Sequence, residues 1–333
     1  MKIAVVILNW NGEALLESYL PSVVAYSKEA DIYVADNAST DNSIAFIKAN
    51  YPTIKIIQND SNGGFAKGYN DALKHIDNDI YCLLNSDVEV TPNWLTPIEK
   101  AFNELPQASI IQPKILDLVK PEYFEYAGAA GGFIDQLGYP FCRGRIFQVL
   151  EKDEGQYNDT REIFWATGAC MFIKKNVFHT LNGFDEDYFA HQEEVDLCWR
   201  AKNNGHKVYY IGNSKVYHLG GSTLSNMNPK KTYLNFRNSL FSITKNLPIR
   251  KAFSIIFLRL ILDGIAGVRF LFQLKWPHCF AIIKAHFNFY WHFRKMYRKR
   301  EKTNYMKNYY TTKSIVWAHF VNQVHKFSFL VKD

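Results

Sequence analysis

The 333-residue sequence predicts an α/β fold: a Rossmann-like, mostly parallel sheet flanked by helices, with a helical extension at its C-terminal end. Three observations predict it. Short β-branched runs alternate with helical stretches through the first hundred residues, the βαβα rhythm of a parallel sheet. Four strand ends in that region each run into a polar cluster, and ligands of such sheets bind beyond the carboxyl ends of the strands. After Tyr233 the composition changes to long helical stretches rich in Phe, Leu, Ile and Arg.

The elements follow in order. Residues 3–8 form an apolar strand that ends in Asn9-Trp10-Asn11-Gly12; the run is too short for a signal peptide and reads as a buried first strand. A helix over Glu13–Tyr26 leads to a strand at 31–35 and the cluster Asp36-Asn37-Ala38-Ser39. A helix over Ser43–Asn50, a strand at Lys55–Gln58 and the polar stretch 59–64 come next. A helix over 66–75 precedes the strand 80–84, which ends in Asn85-Ser86-Asp87. From 105 to 165 the pattern loosens into loops and short strands punctuated by glycines, read as an acceptor-side surface. A compact stretch returns at 165–174, followed by a helix over Glu193–Asn203 and closing strands at 208–211 and 215–218.

Length and composition bound the organisation. A chain of 333 residues suggests one large unit plus a smaller one, divided here as 1–225 and 226–333, the first with a nucleotide-sugar half to about 105 and an acceptor half beyond it. With 47% hydrophobic and 16% aromatic residues the chain can bury a core. Cys82, Cys142, Cys170, Cys198 and Cys279 are scattered and form no CxxC pair, which argues against a zinc site or disulfide framework and fits a reducing cytosol. The net charge of +7 is concentrated late, in Arg294, Lys295, Arg298, Lys299, Arg300, Lys302 and Lys307.

Moving a sugar from a nucleoside diphosphate needs groups that hold the base, neutralise the leaving diphosphate and deprotonate the acceptor. Asp87 projects from a strand end where a metal-bridged diphosphate can sit, although Asn-x-Asp alone also makes an ordinary turn. Asp36 can accept a hydrogen bond from a pyrimidine imide. The run Asn62-Gly63-Gly64-Phe65-Ala66-Lys67-Gly68-Tyr69-Asn70 opens a helix with glycines that permit close backbone approach to a ligand. Glu193 and Glu194 are adjacent on a helix and point in different directions, so one can take a proton while the other orients a group; an acidic first helical turn is the alternative reading. His218 is either a ligand or a buried structural histidine.

These motifs, with Gly168-Ala169, Gly183-Phe184-Asp185-Glu186 and Glu193 through Arg200, resemble family 2 glycosyltransferases, and most of all their rhamnosyltransferase-like branch with the GT-A fold. The resemblance spans about residues 1–225. It implies an inverting, metal-dependent transfer from a UDP- or dTDP-sugar to a hydroxyl of a cell-envelope glycan or lipid-linked acceptor. By it Asp36 binds the base, Asp87 the Mg²⁺ or Mn²⁺ ion and His218 supplements the metal site. Asn9, Asn62, Gly63, Gly64, Phe65, Lys67, Asn70, Asn85 and Ser86 line the donor, and Trp165, Gly168 and Asp196 the acceptor side. Glu194 stands where the family has its catalytic aspartate. Asn-Ser-Asp replaces Asp-x-Asp, leaving one carboxylate fewer for the metal, and Glu in place of Asp keeps Glu193 open as the base. A sugar nucleotidyltransferase would show a glycine-rich loop after the first strand, a processive synthase Gln-x-x-Arg-Trp and membrane spans; a non-catalytic GT-A-like scaffold is the remaining rival.

In the tail, Lys251, Arg259, Asp263, Arg269 and Gln273 fall on one helix face opposite a broad apolar one. The charges argue against a span. Two readings remain: a helix at a membrane interface, with Arg298, Lys299 and Arg300 meeting anionic lipid on the inner face of the cytoplasmic membrane, or helices packed on the protein or on a second subunit. Nucleic acid is the lesser polyanion, since no recognition fold accompanies the patch.

Overall fold

The computed structural model describes residues 1–220, 228–301 and 305–331; Lys302 and the end of the expected catalytic region, residues 221–225, lie outside them. The chain begins β1 (Ile3–Asn9), α1 (Glu13–Tyr26), β2 (Asp31–Asp36), α2 (Ser43–Asn50), β3 (Lys55–Gln58), α3 (Gly64–Ala72) and β4 (Ile80–Asn85). Successive residues of β1 point to opposite faces. Ala4 and Val6 enter one apolar cluster, while Ile3, Val5 and Ile7 enter the other, so the strand is buried on both sides. β1 pairs in parallel with β2 and β4, and β2 with β3. The register sets Asn9 opposite Asp36 and Leu8 opposite Asn85, which brings three of the polar strand ends together.

The second half of the sheet is mixed. After β5 (Val88–Val90) and α4 (Thr96–Glu104), β6 (Ala108–Asp117) runs ten residues deep in the core. A hairpin-like sheet follows, β7 (Gly132–Ile134), β8 (Pro140–Cys142), β9 (Arg145–Ile146) and β10 (Val149–Leu150), all antiparallel. Then come β11 (Thr160–Ile163), β12 (Cys170–Lys174), α5 (Lys175–Thr180), α6 (Glu193–Asn203) and β13 (Lys207–His218). The main sheet runs β11-β13-β6-β12-β4-β1-β2-β3, with β5 on β13. β12 is antiparallel to both β4 and β6, while β6 and β13 are parallel.

Loops and short strands are expected where β6, a single ten-residue strand, lies. Gln112, Pro113 and Lys114 interrupt its apolar pattern. Each has a local solution: Pro113 sits where β13 shifts register, between Ile211 and Lys215, and buried Lys114 pairs with Asp153 at 2.6 Å. β13, read as two strands, is one strand with that irregularity inside it.

Four helices complete the described chain: α7 (Pro229–Asn246), α8 (Ile249–Phe272), α9 (Trp276–Arg298) and α10 (Ile315–Phe320). They share the core of the sheet. Phe289, Met296, Tyr309 and Phe327 join the cluster that contains Ala4 and Tyr210. Tyr309 stacks on Trp199 at 5.2 Å and Phe327 lies 4.7 Å from Phe133. No helix among the described residues is long and apolar enough to cross a membrane.

The polar stripe of α8 divides: Arg259 and Asp263 are buried, paired to each other at 3.2 Å and held by Ser239, Tyr139 and His286, whereas Arg269 and Gln273 stay exposed. A buried charge is tolerable only with such partners. At the end of α9, exposed Lys299 pairs with Asp185 and Asp187, and partly buried Arg300 donates to the carbonyls of Thr244 and Leu247.

Candidate functional site

The carboxyl ends of β1, β2 and β4 form one polar floor. Asn9 donates to Asp36 at 3.0 Å and to Ser39 at 3.2 Å, and the second oxygen of Asp36 accepts the Ser39 amide at 2.9 Å. Each carboxylate oxygen keeps a lone pair for a ligand donor. The side-chain oxygen of Asn9, Oδ1, is buried without a partner, and a side chain at Gly12 would strike it at 2.4 Å. Asn11 and Ser39 lace the two loops together.

Asn62 accepts the Gly64 amide and sets up the start of α3. Gly64 has φ +83°, and a Cβ there would meet the Phe189 carbonyl at 2.6 Å. The next amide, Phe65, donates to that carbonyl at 3.1 Å. The glycine motif is therefore tied to the loop that precedes α6.

At the other side of the floor Asp87 and His218 converge, because β13 pairs with β5 and sets His218 against Val88. His218 Nε2 lies 3.1 Å from Asp87 Oδ1, and Asn85 approaches the same nitrogen at 3.5 Å. On the far edge of the ring Nδ1 faces Glu125 at 3.4 Å. All three side chains are buried. Burial opposes charge on His218, but Glu125 and Asp87 on its two sides outweigh it and raise the imidazole to about 10. Held this way the His218 and Asp87 side chains form an ion pair; a divalent cation would have to displace the imidazolium proton to find a nitrogen beside a carboxylate oxygen. Among the described residues no group of three or more His, Cys, Asp or Glu side chains could hold a metal ion.

Glu193 and Glu194 open α6 behind a strained loop. Phe189, His191 and Gln192 all have positive φ, near +70°, which non-glycine residues adopt only when held there. The holding comes from α7: the Asn238 amide faces the carbonyls of Tyr188, Ala190 and His191 at 2.7–3.1 Å, and Arg237 donates to those of Asp187 and Tyr188. Both glutamates carry a buried oxygen without a hydrogen-bond partner. Burial pushes Glu194 up to about 7, and burial with the neighbouring Glu194 charge pushes Glu193 further up. A buried carboxylate poised near neutrality, with one oxygen free of a hydrogen-bond partner, can accept a proton from a hydroxyl.

Residues 4–181, more than half of the chain, match the family model described as Glycosyl transferase family 2. The chain belongs to that family. It is 25% identical over 233 residues to the N-acetylglucosaminyl-diphospho-decaprenol L-rhamnosyltransferase of Mycobacterium tuberculosis, covering 64% of this chain and 75% of that one, which sets it in the rhamnosyltransferase-like branch. S. aureus TarS in complex with UDP-GlcNAc aligns with TM-score 0.58 and 16% identity over 87% of this chain and 80% of that one. Mannosyltransferase PcManGT from Pyrobaculum calidifontis, in complex with GDP-Man and Mn²⁺, aligns with TM-score 0.55 and 12% identity over 87% of each chain. These likenesses show the GT-A fold.

Several residues expected at the site of this glycosyltransferase serve its frame instead. Asp196 is fully buried and binds Arg200, Lys245, Asn246 and Tyr188, so no lone pair is left for an acceptor. Those cations hold its carboxyl far below the ordinary range against the cost of burial. Asn70 spends its amide on Phe184 and Glu186, and Lys67 pairs with Asp71 along α3. Trp165 is buried, its indole donating to the Phe133 carbonyl. Gly168 makes room for the Phe65 ring, which a Cβ would meet at 2.8 Å. Conversely, Glu125, Arg237 and Asn238 were missed. Glu125 carried one signal, a lone acid between Phe124 and Tyr126; nothing local marks the other two.

Proposed function

We propose that this glycosyltransferase is an inverting, metal-dependent enzyme that moves a sugar from a UDP- or dTDP-sugar to a hydroxyl of a cell-envelope glycan carried on a lipid. The observation that carries the reading is the meeting of Asp87 and His218 at the end of the sheet. The buried Glu194, one oxygen of which has no hydrogen-bond partner, opens α6 behind a loop joined to the glycine motif through Phe189. The mycobacterial relative is named for a diphospho-decaprenol acceptor and PcManGT holds Mn²⁺ beside its donor, which supports the lipid and the metal. The catalytic region is 1–225, and residues 226–333 form a C-terminal region that serves the membrane side, on the cytoplasmic face.

In this reading Asp36 and Asn9 hold the pyrimidine, and Asn62, Gly63, Gly64, Phe65, Asn85 and Ser86 line the donor. Asp87 and His218 are the residues that would hold Mg²⁺ or Mn²⁺, which would supply positive charge to the departing diphosphate. Glu125 orients the His218 ring from its Nδ1 side. Glu194 takes the proton of the acceptor hydroxyl while that oxygen bonds to the anomeric carbon and the bond to the diphosphate breaks. A single displacement inverts the anomeric configuration. Glu193, its carboxyl likewise raised by burial, orients the acceptor.

Thermal stabilisation across a panel of nucleotide sugars tests it, since a ligand of the folded state raises the melting temperature. UDP- or dTDP-sugars are expected to stabilise the protein with Mn²⁺ and to lose that effect in Asp87→Asn. Equal stabilisation in chelator would contradict the metal assignment.

A further inference from the structure

With Arg259 and Asp263 of α8 turned inward, an apolar face of the helix is left bare. Phe253, Phe257, Ile261, Ile265, Val268 and Phe272 recur at helical spacing along it and are all exposed. On α9 the same holds for Trp276, Phe280, Ile283, Phe287 and Trp291. Phe272, Phe287 and Trp291 are 85%, 73% and 87% exposed. The two faces are contiguous: Leu260 and Gly264 of α8 line one groove with Ile283, Phe287 and Tyr290 of α9. Exposed apolar surface on this scale marks an interaction site.

Charge selects the occupant. Between Ile249 and Arg298 the sequence has one acidic residue, Asp263, and it is buried. Arg250, Arg269, Lys284, Arg294 and Arg298 are exposed around the apolar face. Arg294 and Arg298 follow Trp291 by three and seven residues, on its side of α9. A second copy of the chain joined through this face in a two-fold pair would set like charges together. An anionic leaflet satisfies both features, with aromatic rings at headgroup depth and cations against phosphate. We propose that the α8–α9 hairpin lies in an anionic membrane surface, its Phe- and Trp-bearing face immersed and its Arg259–Asp263 face packed on the enzyme. The inference deepens the lipid-linked acceptor reading above and rests on it for its purpose. The cations that flank this face are Lys284, Arg294 and Arg298, the last of them among those the sequence pattern singled out, whereas Lys299 and Arg300 are paired within the protein.

The test is co-sedimentation of the full chain with vesicles of phosphatidylcholine alone or with phosphatidylglycerol, at low and high salt, without donor or acceptor. Glycosyl transfer therefore does not enter the readout, and a failure of the catalytic reading leaves the result intact. Binding is expected to require phosphatidylglycerol and to weaken with salt. Lys284→Gln, Arg294→Gln and Arg298→Gln should each weaken it roughly fivefold. Phe272→Ser with Trp291→Ser should abolish it with an unchanged melting temperature, since both side chains are exposed. A brominated lipid should quench tryptophan fluorescence in the parent more than in Trp291→Ser. Protein that stays in the supernatant with every vesicle overturns the proposal. So does a concentration-dependent dimer by light scattering that Phe272→Ser with Trp291→Ser dissolves, because the face then belongs to a second copy.

Discussion

At the residue scale, Glu194 sets opposing demands. Its folded-state pKa of about 7 stands above the ordinary 4.5, so the native protein binds more protons than the unfolded chain between those values. Stability contributed by the protonated form is full below about 4.5 and lost as pH rises through 7. Glu194→Gln should therefore raise stability at pH 8 by about 1–3 kcal/mol, seen as a higher melting temperature, while turnover falls ~10²–10⁴-fold with donor affinity kept. Activity of the parent should climb with pH to a plateau above about 7, because the base works deprotonated. If Glu193→Gln, and not Glu194→Gln, removes turnover, the two assignments exchange. Glu125 offers a second check: Glu125→Gln should weaken Mn²⁺ binding ~10–100-fold, read by electron paramagnetic resonance without any turnover. Unchanged Mn²⁺ affinity would reduce Glu125 to packing.

At the element scale, the loop before α6 needs α7. Three residues at positive φ cost of order 1–3 kcal/mol each, and one side chain, Asn238, supports three of the loop carbonyls. Asn238→Ala should lower kcat at least ~10-fold while calorimetric donor affinity stays within a factor of about two. Loss of stability with kcat intact would mean the loop holds its shape alone. This is also where sequence reading stops. The parallel half was legible because β1 to β4 each carry an uninterrupted apolar run and end in polar clusters, and because pairing register is local to a βαβ unit. β6 was not, since its Gln112, Pro113 and Lys114 are satisfied by β13, Gly128 and Asp153, partners remote in sequence. Asp87, Glu194 and His218 stood out by motif. Glu125 and Asn238 did not, because their roles arise from tertiary contacts across 93 and 47 residues. Asp196 misled for the converse reason: its motif position is real, but Lys245 and Asn246 of α7 occupy it.

At the scale of the whole molecule, the C-terminal helices complete the core and present the bare α8–α9 face. Phe327, ringed by Phe133, Phe141 and Tyr157, fastens the last turn to the small sheet. Phe327→Ala should cost about 3–5 kcal/mol, measured as a fall in the denaturation midpoint. The central claim is that Glu194 takes the acceptor's proton as the diphosphate leaves, with Asp87 and His218 the residues that would hold the metal. The most direct measurement is release of nucleoside diphosphate from UDP- and dTDP-sugars by the parent, Asp87→Asn and Glu194→Gln, with Mn²⁺ or with chelator. The account predicts release by the parent with Mn²⁺ alone and near-background rates for both variants. Release that persists in chelator, or in both variants, would contradict it.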